Sequence, residues 1–248
     1  AFPVYRESQK KFYIPRYFGL ETYGIHDDVR IKDGLDIDIA FKGDLRDYQT
    51  TIVNKYTSHV SDEKGGGLLE VPCGRGKTVI ALKIISELKK KTLIIVHKSF
   101  LLNQWIERIN MFLPSARVGK IQGQIVDMKD KDIVIGMLQS LSMKEYPQDM
   151  FKEFGLTIVD ECHHIGAEVF IRSLFKVVTK YTLGLSATMT RKDGLTKVFK
   201  MFLGDVIYSE KRDGDDKVVV KAIQYDNSDE EFSETQLDYR GNPQYSTM

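Results

Sequence analysis

The residues best suited to chemistry are Val71-Pro72-Cys73-Gly74-Arg75-Gly76-Lys77-Thr78. They fall between an apolar run, Gly67-Leu68-Leu69-Glu70-Val71, and a stretch from Thr78 to Lys91 with Val79, Leu82, Ile85 and Leu88 at helical spacing. A strand that turns through glycines into a helix presents inward backbone N–H groups and a positive helix end. An anionic phosphate chain needs both. Gly74 and Gly76 let the backbone approach such a chain, Lys77 reaches its outer phosphates, and the Thr78 hydroxyl suits Mg2+. The common pattern begins with Gly or Ala, whereas Val71 stands there in this chain. The plain alternative is a glycine turn with an incidental Lys-Thr pair. The flanking strand and helix favour the phosphate reading.

A second group is Ile158-Val159-Asp160-Glu161-Cys162-His163-His164, where two carboxylates close an apolar strand. In a parallel sheet the strand ends line the ligand crevice. Asp160 is expected to hold Mg2+ through water, and Glu161 to orient or deprotonate an attacking water. A zinc site on Cys162, His163 and His164 is rejected, because three consecutive residues do not surround one ion tetrahedrally without strain.

These groups need a scaffold, and the rest of the chain supplies its pattern. Thr92-Leu93-Ile94-Ile95-Val96, Asp132 to Gly136, Leu156 to Val159 and Tyr181 to Leu185 read as further strands. Phe100 to Phe112 reads as a helix, and others are expected between the strands. That alternation predicts an α/β fold with a mainly parallel sheet. Residues 1–44 break the rhythm and read as a small N-terminal extension. Residues 45–208 form the α/β domain, and 209–248 a polar, acidic linker with one strand, Lys217 to Gln224.

Composition narrows the class. A hydrophobic content of 42% supplies a sizeable core, while a net charge of +1 means that any nucleic-acid surface is local. Two cysteines, Cys73 and Cys162, make no disulfide framework, which favours a reducing, intracellular compartment. No apolar run approaches membrane-spanning length, so no membrane partner is expected.

Asp160-Glu161-Cys162-His163 resembles the DEAH-type box of superfamily 2 helicases, and Ser186-Ala187-Thr188 resembles their motif III. Leu45-Arg46-Asp47-Tyr48-Gln49 is similar to their adenine-reading Q-type motif. Ile94 to Trp105 is similar to motif Ia, and Ile133 to Leu141 to motif Ib. Order and spacing agree over residues 45–208. Within the superfamily the look is closest to the XPB-like and UvsW-like DNA helicases, carried by Asp160 to Ala167 and Leu183 to Thr188. Arg191-Lys192-Asp193 falls where XPB-type proteins carry Arg-Glu-Asp, with Lys192 in place of the glutamate. Phe12-Tyr13-Ile14-Pro15-Arg16-Tyr17 resembles helicases of large cytoplasmic DNA viruses, which would put the chain at a cytoplasmic viral replication site; outside a virus the nucleus or a bacterial cytoplasm is expected.

The resemblance implies a RecA-like fold and ATP hydrolysis with Mg2+, coupled to movement on DNA. It implies ATP contacts from Arg46, Gln49 and Pro72 through Thr78, and metal contacts from Thr78 and Asp160. Lys77, Asp160 and Glu161 would carry the catalysis. His163 would link the carboxylates to Ser186 and Thr188, and Lys98, Gln139 and Ser140 would touch nucleic-acid phosphates. For the last three, ordinary solvated loop polarity is the competing reading. No second βαβ series follows Tyr208, so the chain is expected to be the first, monomeric half of a motor whose second RecA-like domain supplies arginines to the γ-phosphate. An RNA helicase, a translocase that never separates strands, and a non-catalytic nucleotide sensor remain alternatives. The basic, aromatic N-terminus reads as domain packing more than base stacking, and the acidic run from Asp226 to Asp238 as a solvated linker.

Overall fold

Strand residues that alternate between two apolar faces demand helices on both sides of a sheet. A computed structural model describes residues 3–25, 27–60, 65–147, 149–162, 167–188 and 196–210. After a small hairpin, β1 (Arg6–Ser8) and β2 (Lys11–Tyr13), come α1 (Arg16–Tyr23) and α2 (Asp47–His59). The main series then runs β3 (Gly66–Glu70), α3 (Lys77–Leu88), β4 (Thr92–Val96), α4 (Ser99–Phe112), β5 (Val118–Gln122), β6 (Ile125–Asp127) and β7 (Ile133–Met137). It continues through α5 (Leu138–Met143), β8 (Leu156–Val159), α6 (Ala167–Leu174), β9 (Tyr181–Ser186), α7 (Thr196–Leu203) and β10 (Val206–Ser209). The sheet order is β10-β3-β9-β8-β4-β7-β5-β6, parallel except for the edge strand β6.

Alternation divides the core in two. Leu69, Ile94, Val96, Ile135, Ile158 and Leu185 face α2, α3 and α4, while Leu68, Leu93, Ile95, Val134 and Val159 face the layer of α5, α6 and α7. By the same parity Asp160, two residues beyond Ile158, belongs to the α3–α4 side. Helix α3 differs from the single stripe its spacing suggests. Ile80, Ala81, Leu82, Ile84 and Ile85 are all buried, because α3 is wedged between α2, α4 and the sheet. On the opposite face, Gly184 on β9 makes room for the α7 layer: a Cβ there would come within 2.2 Å of the Leu68 side chain and 2.9 Å of that of Leu203.

Three strands of the main sheet escape the sequence pattern. β5 and β6 form an antiparallel edge with few inward apolar residues, and β10 is a short strand beside β3. In the segment before residue 45, Ile37 and Ile39 are buried in the α3–α4 side of the core. The N-terminal aromatics divide: the Tyr17 hydroxyl is 2.9 Å from that of Thr182, and Arg16 donates to the Lys180 carbonyl, while Tyr5, Phe12 and Tyr13 are exposed. The expected strand 217–224 and the acidic run lie outside the described residues.

Candidate functional site

The phosphate loop and four of the five resembling motifs lie at the carboxyl ends of the parallel strands, while the fifth, Leu45 to Gln49, leads into α2. The strand order β3-β9-β8-β4-β7 sets the phosphate loop after β3, Ser186 at the end of β9 and Asp160 just past β8. Lys98 follows β4, and Gln139 and Ser140 follow β7. Four interstrand steps separate β3 from β7, roughly 19 Å at ordinary sheet spacing.

The phosphate loop is held in shape by its glycines and by α2. Gly74 and Gly76 adopt φ of 82° and 76°, left-handed values that disfavour other residues. Gly76 has a second reason, since a Cβ would sit 2.5 Å from the Gln49 amide nitrogen. Gln49 donates from Nε2 to the Arg75 carbonyl at 3.2 Å, as does the Tyr48 hydroxyl, also at 3.2 Å. Its Oε1 accepts from the Arg46 backbone N–H at 3.0 Å. Gln49 thus braces the loop against the start of α2. One N–H and one lone pair of its amide remain for the adenine edge expected of it. Arg75 lies over the Tyr48 ring at 4.0 Å and pairs with Glu210 at 2.6 Å, a tie between loop and β10 side that the sequence did not announce.

The carboxylate pair faces the loop. Lys77 Nζ is 3.4 Å from Glu161 Oε1 and 3.3 Å from the Val71 carbonyl. Glu161 has φ 48°, a left-handed backbone at a non-glycine residue of the kind that clusters at functional sites. Asp160 is buried and makes no ion pair among the described residues. Its backbone N–H is fixed by the Ile95 carbonyl at 3.0 Å. Burial pushes its carboxyl up to about 6, opposed by a hydrogen bond from Trp105 Nε1 to Oδ2 at 2.8 Å. Glu161 nearby raises it further and Lys77 lowers it. A buried carboxylate that makes no ion pair among the described residues, together with the Thr78 hydroxyl at the start of α3, is an all-oxygen donor set that fits a hard divalent ion such as Mg2+. Sequence reasoning missed the role of Trp105. The signal was there: a single tryptophan in the chain, whose indole N–H needs a partner once buried.

The remaining expected residues are placed as follows. Ser186 is buried, accepts from the Thr188 N–H at 3.2 Å and donates to the Thr188 carbonyl, closing a tight turn. Its own carbonyl accepts from Val71 N–H at 2.9 Å, which joins this turn to the root of the phosphate loop. His163 and Arg191-Lys192-Asp193 lie outside the described residues. Gln139 donates to the His97 carbonyl at 3.1 Å, and Ser140 Oγ accepts from Gly123 N–H at 2.9 Å. With exposed Lys98 they form one polar rim after β4, β5 and β7.

The two thiols differ. Cys73 is exposed in the phosphate loop, and Cys162 is buried in the α5–α7 side of the core. Alkylation is therefore expected to modify Cys73 rapidly and Cys162 only on unfolding, with Mg·ATP protecting Cys73. Peptide mass spectrometry with and without nucleotide checks this. An equal Cys73 rate in both conditions would place the thiol outside the bound phosphates.

A family model described as "Type III restriction enzyme, res subunit" matches residues 42–191, and the chain belongs to that family of superfamily 2 helicases. It is 37% identical over 233 residues to the "Putative ATP-dependent RNA helicase L396" of Acanthamoeba polyphaga mimivirus, covering 93% of this chain and 44% of that protein. It is 34% identical over 172 residues to "Putative helicase 161L" of Invertebrate iridescent virus 6, covering 68% and 39%. The chain thus spans less than half of each. Among solved structures, the Sulfolobus solfataricus SWI2/SNF2 ATPase core in complex with dsDNA matches with a TM-score of 0.56 at 20% identity, covering 70% of this chain and 38% of that one. The UvsW helicase from bacteriophage T4 matches at 0.55 and 20%, covering 70% and 64%. These likenesses establish the RecA-like helicase fold, and the viral relatives agree with the viral resemblance of the N-terminal motif. Among the described residues no helix is long and apolar enough to cross a membrane.

Proposed function

We propose that the chain is the nucleotide-binding motor half of an ATP-dependent helicase or translocase that acts on DNA. The observation that carries this is the Lys77–Glu161 approach of 3.4 Å, which brings the phosphate loop against the carboxylate pair at the carboxyl ends of the parallel strands. Backbone N–H groups of residues 74–78 and the α3 N-terminus bind the phosphates, and Lys77 balances their charge. Thr78 and Asp160 would hold Mg2+, which would supply charge neutralisation to the phosphates. Glu161 takes a proton from the attacking water as its oxygen bonds to the γ-phosphorus and the bond from that phosphorus to the departing ADP breaks. Ser186, hydrogen-bonded to the root of the loop, links that chemistry to the rim of Lys98, Gln139 and Ser140, which engages nucleic-acid phosphates. A second RecA-like domain closing on the nucleotide belongs to this reading, since arginines supplied across such a cleft raise turnover about 10^3–10^5-fold.

Duplex DNA as the track is supported by the fold shared with a SWI2/SNF2 core bound to dsDNA and with UvsW. RNA is the second reading, favoured by the name of the mimivirus relative. Steady-state ATP turnover by the full-length protein tests the choice. Duplex DNA is expected to stimulate at least about tenfold more than duplex RNA of the same sequence, a difference of roughly 1.4 kcal/mol. Equal or greater stimulation by RNA would replace the first reading with the second. Residues 1–248 alone are expected to hydrolyse ATP very slowly, and strong DNA-stimulated turnover by them would remove the need for a second domain.

A further inference from the structure

The only tryptophan of the chain is buried, and its one polar atom is directed at Asp160. Trp105 sits on α4, is 1% exposed, and donates from Nε1 to Asp160 Oδ2 at 2.8 Å. Helix α4 packs against α3, the helix that begins with Lys77 and Thr78. From the geometry we infer that Trp105 is a positioning residue for the metal-binding carboxylate. It fixes one oxygen of Asp160 and leaves the other for the Mg2+ that accompanies the nucleotide.

The physical argument has three parts. A buried carboxylate without an ion pair has to be stabilised by hydrogen bonds, and charge-assisted ones are the strongest available. An indole N–H donates and never accepts, so it favours the ionised carboxylate that a cation requires. The rigid indole is locked in the core beside Leu101, Leu102 and Ile109, so it sets the carboxylate's rotation as well as its charge. The Asp160 backbone is pinned separately, by the Ile95 carbonyl. With both ends held, the carboxylate is pre-organised before nucleotide arrives. A partner of this kind commonly changes metal affinity about 10–100-fold. The same contact would let α4, which starts at the Lys98 rim, sense whether the metal is bound.

This inference rests on the nucleotide reading, and its test separates the two. The probe is ADP, titrated by calorimetry with EDTA or with increasing Mg2+, into the wild-type chain and Trp105→Phe, which keeps an aromatic ring and removes the N–H. Melting curves check that the variant is folded. ADP affinity in EDTA is expected to stay within about twofold, because the loop N–H groups are untouched, while the Mg2+ concentration for half-maximal effect rises about 10–100-fold. Overlapping Mg2+ curves would make Trp105 ordinary core and overturn the inference while leaving the nucleotide site standing. Failure of the wild type to bind ADP under any condition would remove both.

A second measurement needs no variant. With one tryptophan, protein labelled with 15N-tryptophan gives a single indole N–H cross-peak. That peak is expected to stay near its apo position with ADP in EDTA and to move when Mg2+ is added. If Mg2+ drives ADP binding and the peak does not move, the indole does not report on the metal carboxylate and the inference is wrong.

Discussion

Glu161→Gln is expected to lower ATP turnover by about 10^2–10^4-fold in the full-length protein, the usual contribution of a positioned general base. ATP affinity is expected to hold or to tighten. The Lys77 ammonium lies 3.4 Å from Glu161, so the carboxylate competes with phosphates for that charge. A neutral amide ends the competition without disturbing the loop glycines or α3. Stopped turnover with intact binding is what a group active only in the transition state produces. Single-turnover hydrolysis together with equilibrium binding distinguishes this from a structural role. A parallel loss of both would show that Glu161 mainly supports the site's architecture.

The second large effect concerns stability. Asp160→Asn is expected to stabilise the metal-free protein at neutral pH. Burial raises the Asp160 carboxyl to about 6 from the ordinary 3.8. Between these values the native state holds a proton that the unfolded chain has released. Stability from this group is therefore fully present below about pH 3.8 and is lost as pH rises through about 6. The loss approaches about 3 kcal/mol at most, from 1.36 kcal/mol per pKa unit. Asparagine retains an acceptor for the Trp105 N–H and carries no charge to desolvate. In EDTA the variant is expected to melt several degrees above wild type at pH 7.5 and at nearly the same temperature at pH 4. Mg·ADP should reverse the order at pH 7.5, because only the wild type gains from the metal. Thermal melts across that pH range check it, and a pH-independent difference would contradict the assignment to Asp160.

Much of the site was legible because its chemistry restricts residue types. Gly74 and Gly76 adopt left-handed backbone that favours glycine in any fold, and a Lys-Thr pair after such glycines and two carboxylates closing an apolar strand are residue types that stand out in a sequence. The strands around them were legible because a sheet covered on both faces needs continuous apolar runs, as in β4 and β8. Contacts made by tertiary approach were not legible. Trp105 lies within the motif Ia segment, yet nothing in its spacing reveals that α4 carries its N–H to a strand end 55 residues away. The Arg75–Glu210 pair is hidden in the same way, across 135 residues. Edge strand β6 was obscured by its exposure, and β5 beside it by burying only Gly119 and Ile121, which leaves little apolar pattern to read. The buried circumference of α3 was understated because Ile80 and Ile84 fall outside the stripe of Val79, Leu82, Ile85 and Leu88, and only the neighbours α2 and α4 bury them.

Calorimetric titration of Mg·ADP into the wild-type chain and Lys77→Ala tests the central claim most directly. The wild type is expected to bind at one site. Lys77→Ala should weaken binding by at least about 100-fold, as befits a buried charge-assisted contact to phosphate worth roughly 3 kcal/mol. Unchanged secondary structure by circular dichroism would show that the loss is local. Equal affinity in the two proteins, or no binding to the wild type, would contradict a nucleotide site built on the Val71–Thr78 loop.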